Sequence, residues 1–321
     1  MKIVFAGSPD AARITLEYLF EQQSASGFEI AGVLSNPPTA KGRHKTPTPT
    51  PVAAYALEKG LPVFTPEHLD NAAREQIAPL GADLLVCFAY GHIFGPKFLA
   101  LFPMGGINLH PSFLPKYRGC TPVQQAILEG DELLGISIQT LSLKMDAGDI
   151  LKQDFVNIKE TDTTESLLNY SATAGAKLIC QIIKESAQAG ALIKGKPQHN
   201  EGATYTYTIT KDMAKINFSE SAEAICRKIR AYYPDPCCWC FEENDSPLKI
   251  AAATEVFDTD DEYQAFPCGK VLAYNKESGG IYVKTGDGIL SIQKLQRQGK
   301  TMMSYKDFMN GAKGFVGTVL K

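Results

Sequence analysis

Short, largely apolar runs alternate with helical spacings along the first half of the chain. Residues 3–6, 29–34, 84–88 and 107–110 read as buried strands. Between the first two, residues 11–22 set Ile14, Leu16, Leu19 and Phe20 on one side of a helix, and residues 52–59 form a second helix stopped by Gly60. Strands alternating with helices predict a largely parallel sheet covered by helices. After Gly130 the runs 136–143 and 152–158 alternate more, which predicts an antiparallel pair, followed by a helix over 164–189 ended by Gly190.

The rhythm then changes. Residues 191–209 are turn-rich and read as a linker, and a short helix over 221–232 ends before Pro234-Asp235-Pro236. Short β-rich runs follow at 249–256, 270–273, 280–284 and 288–295. A small closed antiparallel barrel folds such a set without exposed edges. The expected organisation is an α/β domain over 1–190, the linker, and a β-barrel over 210–321. One segment fits neither pattern. Residues 35–51 carry five prolines and no hydrophobic periodicity, which predicts a long loop without regular structure. Its Lys41, Arg43, His44 and Lys45 suit an anionic partner, although a solvated mobile loop has the same composition.

Charge sharpens this division. The net charge is -3, yet from Gln264 onward nine Lys or Arg face three Asp or Glu, so this end carries +6 and the rest -9. A basic end on an acidic body suits a polyanion, and it also suits a plain lysine-rich surface. With 321 residues, 44% apolar and 21% charged, the chain has the composition of a folded protein. It contains no run of eighteen apolar residues, and its first residues run directly into a strand, so no membrane span or leader is expected and the cytosol is the expected location. Of eight cysteines, Cys237, Cys238 and Cys240 cluster. One C-x-x-C spacing supplies only two of the four ligands of a structural zinc site, so ordinary thiols are expected and no metal is assigned.

The first strand ends in Gly7-Ser8-Pro9, without the further glycines that let a pyrophosphate approach, so nicotinamide binding is not expected. More informative is Asn108-Leu109-His110. Residues two apart in a strand face one side, so a carboxamide donor and an imidazole point together. One can hold developing negative charge on a carbonyl oxygen while the other takes a proton. Asp146, in the glycine-containing turn 145–150, can orient the imidazole or favour its charged form. The two-proline cationic loop 113–119 can wall the cleft. These residues suit acyl-type transfer; a satisfied local network would look the same.

The run Asn108-Leu109-His110-Pro111-Ser112-Phe113-Leu114-Pro115-Lys116-Tyr117-Arg118-Gly119, with Met145-Asp146-Ala147-Gly148-Asp149-Ile150, resembles the signature of the folate-dependent formyltransferases. That resemblance implies a Rossmann-like catalytic domain and makes Asn108, His110 and Asp146 the catalytic trio. It also implies a folate site for the donor, 10-formyltetrahydrofolate, along Phe88, Ala89, Tyr90, Gly91, His92 and Ile93, with Ser112, Leu114 and Pro115. Residues 295–300 and 308–311 resemble the closing motif of the branch that formylates methionyl initiator tRNA, and Arg43 matches the arginine of its tRNA-reading insertion. The resemblance thus implies an oligonucleotide-binding-type barrel that holds tRNA. Lys41, Arg43, Lys45, Lys294, Arg297 and Lys300 are the expected tRNA contacts, and a bacterial monomer is the expected form. Formyl transfer to an amino sugar nucleotide, and an inactive RNA-binding relative, are the alternatives. The chain departs from the branch at Thr204, where a lysine is usual, at Asn217-Phe218 in place of Asp-Trp, and at Cys237-Cys238 in place of small residues.

Overall fold

The apolar runs of the first half become strands of one sheet. The computed structural model describes residues 1–41, 46–256, 263, 265–276 and 279–321. These form two units, Met1–Pro122 with Leu133–Asn157 and Leu167–Thr206, and Val123–Glu132 with Ile158–Ser166 and Tyr207–Lys321. No helix among the described residues is long and apolar enough to cross a membrane.

In chain order the elements begin β1 (Lys2–Gly7), α1 (Asp10–Ser26), β2 (Glu29–Leu34), β3 (Thr39–Lys41), β4 (Thr46–Thr48), α2 (Pro51–Glu58), β5 (Val63–Phe64), α3 (Asn71–Ile77), β6 (Leu84–Phe88) and α4 (Pro96–Leu99). They continue with β7 (Gly106–His110), β8 (Arg118–Gly119), α5 (Pro122–Glu129), β9 (Leu133–Thr140), β10 (Ile150–Asn157), α6 (Thr164–Ala189) and β11 (Tyr205–Thr206). The main sheet has the order β10-β9-β7-β6-β1-β2-β5. Strands β5, β2, β1, β6 and β7 are parallel, and β9 and β10 are antiparallel, as the alternation after Gly130 predicts.

The two faces of this sheet bury different cores. Ile107, Leu109, Ile136 and Ile138 pack with Leu178, Ile179, Ile182 and Ile183 of α6. Each such side chain contributes about 2 kcal/mol by leaving water. Helix α6 comes close because residue 175 is glycine: a Cβ there would lie 2.1 Å from a Leu109 methyl. Val4, Ala6, Leu85 and Cys87 face the other way, with Phe94, Phe98 and Phe102. Since Cys87 is in register with Asn108, and Asn108 with Gln139, these three side chains share that second face.

Residues 35–51 depart from expectation. Strands β3 and β4 pair antiparallel, Thr39 opposite Thr48 and Lys41 opposite Thr46. In a two-stranded ribbon every second N–H points away from the partner, so Pro47, between two paired threonines, removes no ladder bond. Helix α2 then starts on Thr50, whose hydroxyl caps Ala53 N at 3.1 Å, a contact worth about 1 kcal/mol. The side chain of Lys41, and Arg43 and Lys45 entirely, lie outside the described residues.

The second unit contains α7 (Ala222–Ala231), β12 (Cys238–Phe241), β13 (Pro247–Val256), β14 (Val271–Asn275), β15 (Gly280–Lys284), β16 (Ile289–Arg297), β17 (Met303–Ser304) and α8 (Tyr305–Gly311). Its strands pair antiparallel in the order β12-β13-β16-β15-β14, with β17 against β16. Among the described residues no ladder joins β12 to β14; the final residues span that interval. Phe241 and Lys321 exchange backbone bonds of 2.8 and 2.9 Å, while Val271 bonds to Gly317 and Thr318. The edges of both outer strands are thereby covered. The cysteine cluster is explained by β12 itself: Cys238 and Cys240 are fully buried on alternate positions.

Candidate active site

Strand β7 sets the site. Its alternation sends Ile107 and Leu109 into the α6 core, so Asn108 and His110 emerge together on the opposite face. Asn108 is half-buried and its carboxamide makes no side-chain hydrogen bond among the described residues, which leaves its two N–H groups for a ligand. His110 is buried, 4% exposed.

The imidazole is held by one nitrogen and faces a carboxylate with the other. Its Nε2 lies 2.9 Å from the carbonyl oxygen of Tyr117. A carbonyl only accepts, so Nε2 carries hydrogen and the neutral ring keeps its lone pair on Nδ1. Nδ1 stands 3.6 Å from Asp146 Oδ1, beyond hydrogen-bond distance. The ring nitrogen that carries no hydrogen in this tautomer therefore faces the Asp146 carboxylate.

Asp146 sits in a tight turn that places steric demands on its residues. Its φ is 47°. A Cβ at Gly148 would lie 1.7 Å from the Thr140 carbonyl oxygen, so glycine is required there. Oδ2 accepts from Gly119 N at 2.8 Å, and Oδ1 accepts from Gln139 Nε2 at 2.9 Å. Gly119 has φ 109°, and a Cβ there would lie 2.3 Å from the Thr206 carbonyl oxygen, because β8 pairs with β11.

The loop between His110 and Gly119 is pinned from within. Ser112 Oγ donates to Lys116 O at 2.6 Å, Leu114 N donates to Ser137 Oγ at 3.3 Å, and Leu114–Pro115 is cis. Ser112 and Leu114 are buried, so their polar groups shape the loop that presents the Tyr117 carbonyl.

Arg118 differs from the sequence reading. It is 2% exposed and does not wall a cleft as a free cation. Nε and Nη2 donate to Gln198 Oε1 at 3.1 and 2.8 Å, and Nη1 donates to Asn200 Oδ1 and Tyr205 Oη at 3.3 and 3.1 Å. Residues 191–209 thus do more than connect. They supply these partners, and at the departing position Thr204 accepts from Tyr117 N at 2.8 Å and from Arg118 N at 2.9 Å. Gln139, Gln198 and the buried role of Arg118 were not found in the sequence. The one available signal was Gln139 itself, an amide side chain in a strand that is otherwise apolar or small.

The segment 88–93 after β6 divides its side chains. Phe88 is in the α6-side core, and Tyr90 is 1% exposed and stacked on Phe94 with ring centroids 5.5 Å apart. Burial pushes the Tyr90 phenol up to about 12, so it remains neutral, and its oxygen has no hydrogen-bond partner among the described residues. Ala89 and Gly91 are exposed with φ of 50° and 86°, His92 is half-buried, and Ile93 is exposed. The exposed part of this edge is therefore backbone at Ala89 and Gly91, the Ile93 side chain and part of His92.

In the second unit, Lys294 and Lys300 are exposed and form no ion pair among the described residues. Arg297 is engaged: its guanidinium forks onto Glu242 at 2.8 and 2.7 Å and lies 4.6 Å from the Phe308 ring centroid. The buried thiols Cys87, Cys226 and Cys238 are pushed up to about 12 by loss of water around the thiolate.

Comparison with known proteins agrees with this arrangement. Residues 1–183 match a formyl transferase family model and residues 208–313 match the C-terminal domain of formyl transferases. A methionyl-tRNA formyltransferase of Treponema denticola is 40% identical over 98% of each chain. Among solved structures, HypX of Aquifex aeolicus in complex with tetrahydrofolic acid superposes with a TM-score of 0.65 at 14% identity, covering 98% of this chain, which spans 48% of that protein. An N-formyltransferase of Helicobacter canadensis bound to folinic acid and dTDP-3-aminofucose gives 0.63 at 19% identity, over 91% of this chain and 99% of the other. Matched over more than half its length by the first model, the chain belongs to the formyl transferase family.

Proposed function

We propose that this chain transfers the formyl group of 10-formyltetrahydrofolate to the α-amino group of methionine carried by initiator tRNA, releasing tetrahydrofolate. Similarity at 40% identity through both units to a methionyl-tRNA formyltransferase carries the choice of acceptor. The His110–Asp146 geometry supports the chemistry.

The residues divide the work as follows. The acceptor amine must attack as the neutral nitrogen, forming a C–N bond to the formyl carbon. Asn108 donates to the formyl oxygen as negative charge develops there. His110 Nδ1 takes the proton lost by the attacking nitrogen and returns it to the departing folate nitrogen as the old C–N bond breaks. Asp146 supports the cationic ring between these events. The balance requires no oxidant and no added water.

The folate-binding role falls to the 88–93 edge with Ser112, Leu114 and Pro115. Residues 1–190 act as the catalytic domain, 191–209 as the segment joining it to the tRNA-binding domain, and 210–321 as that domain. Lys294 and Lys300 meet tRNA phosphates, with Arg297 bracing the surface between them. Lys41, Arg43 and Lys45 meet the acceptor end. In this reading the chain is a cytosolic bacterial monomer.

Side-by-side turnover with methionyl initiator tRNA and an amino sugar nucleotide tests the reading. Formylation of the tRNA is expected; formylation of the sugar alone overturns it. Alanine at Asn108 or His110 should lower kcat far more than either substrate's binding.

A further inference from the structure

We infer that Gln139 is a positioning residue for Asp146, itself aligned by a one-directional chain of amides that starts at the buried guanidinium of Arg118. This rests on the reading of His110 and Asp146 as catalytic.

The direction follows from donor and acceptor types alone. Arg118 can only donate, so both of its bonds to Gln198 must meet the carbonyl oxygen of that amide. The Gln198 NH2 group is thereby turned the other way, toward Gly148 O at 2.7 Å, Asp146 O at 2.9 Å and Gln139 Oε1 at 3.1 Å. Two hydrogens serve three acceptors, and all three favour the same orientation. With its own oxygen so occupied, Gln139 must present its NH2 group to Asp146 Oδ1. A flip of either amide would set oxygen against oxygen or N–H against N–H along the whole row.

The position of Gln139 makes this consequential. It is 2% exposed and lies directly opposite Asn108 across the β7–β9 ladder. The oxygen it holds, Oδ1, is the one that faces His110 Nδ1. While the ring is neutral, Nδ1 has no hydrogen to offer, and the Gln139 N–H keeps Oδ1 in place. When the ring takes a proton, Oδ1 is already aimed at it. Gln198 fixes the backbone of the same turn through Asp146 O and Gly148 O, so one amide sets the turn and the next sets the carboxylate. Arg118 forms no ion pair among the described residues, and its positive charge orients every amide dipole toward the Asp146 carboxylate.

Kinetics and crystal structures of Gln139→Met test this, since methionine keeps the length and removes the donor. The expected result is a fall in kcat of about ten- to a hundredfold with KM unchanged within about twofold. Placed on Asp146→Asn, the same change should cost little more, because both act through one carboxylate. The crystal structure of Gln139→Met should have the Asp146 carboxylate turned away from His110, with the β7 and β9 backbones unmoved. Wild-type kcat in Gln139→Met, or full additivity with Asp146→Asn, overturns the positioning role while leaving formyl transfer intact. If the wild-type chain transfers no formyl group, the function reading fails, and the crystal structure alone then decides: an unmoved carboxylate overturns the positioning, a rotated one upholds it.

Discussion

His110 Nδ1 stands 3.6 Å from Asp146 Oδ1, while the other ring nitrogen is taken by the Tyr117 carbonyl. The loop from Pro111 to Tyr117 thus sets which nitrogen of the neutral ring is left without hydrogen, and the turn around Asp146 decides what that nitrogen meets.

That turn depends on glycine. At Gly148 an added Cβ would overlap the Thr140 carbonyl oxygen, so Gly148→Ala must displace residues that carry Asp146. A shift of about 1 Å costs on the order of a hundredfold in rate. Steady-state kinetics should show that loss in kcat, with folate binding retained; near wild-type turnover would mean the turn tolerates the shift.

The two cation types of the second unit should separate. Arg297→Met removes the fork to Glu242 and the contact with Phe308, and should destabilise that unit by about 1–2 kcal/mol in denaturant titration. Lys294→Ala should leave stability unchanged and weaken tRNA binding, lowering the salt slope by about one. Loss of stability with Lys294→Ala, or none with Arg297→Met, would reverse these roles.

Thiol chemistry offers a pH test. Cys120 and Cys268 are exposed, whereas Cys87, Cys226 and Cys238 are buried and pushed up to about 12 from an ordinary value of 9.0. At pH 8 an alkylating reagent should modify the first two and spare these three until the chain unfolds. Because the folded values lie above the unfolded ones, the stability tied to the neutral thiols is complete below pH 9 and declines as pH rises toward about 12. Peptide mapping and melting temperatures at pH 8 and 10 measure both effects; alkylation of Cys238 in the folded chain would contradict the first.

Much of this architecture was legible in the sequence because it follows periodicity. Strands 84–88 and 280–284 and the 164–189 helix match their elements residue for residue. The antiparallel turn of the sheet after Gly130 was legible too, from stricter alternation. Strand β12 was hidden because its inward residues are cysteines, whose spacing suggested ligands before it suggested a pleat. The β3–β4 ribbon was hidden because threonine–proline repeats look irregular unless the ladder's free N–H positions are known. At the site, the signature located Asn108, His110 and Asp146. The amide row behind them was not legible, since Arg118, Gln139 and Gln198 come from three separated segments and a glutamine has no period of its own.

Arg43 should discriminate between tRNAs where Lys294 does not. A guanidinium fork can address base or phosphate edges that an ammonium cannot. Formylation of initiator and elongator methionyl-tRNA by Arg43→Ala over a salt series should show a selective loss with the initiator. Equal, fully salt-screened losses from Arg43→Ala and Lys294→Ala would remove the distinction.

The central claim is transfer itself. Wild-type protein incubated with 10-formyltetrahydrofolate and methionyl initiator tRNA should add the mass of one formyl group to the methionine amine, with one tetrahydrofolate released per formyl transferred, and His110→Ala should add almost none in the same time. Methionyl-tRNA of unchanged mass, recovered with folded wild-type protein and unconsumed formyl donor, would contradict the account.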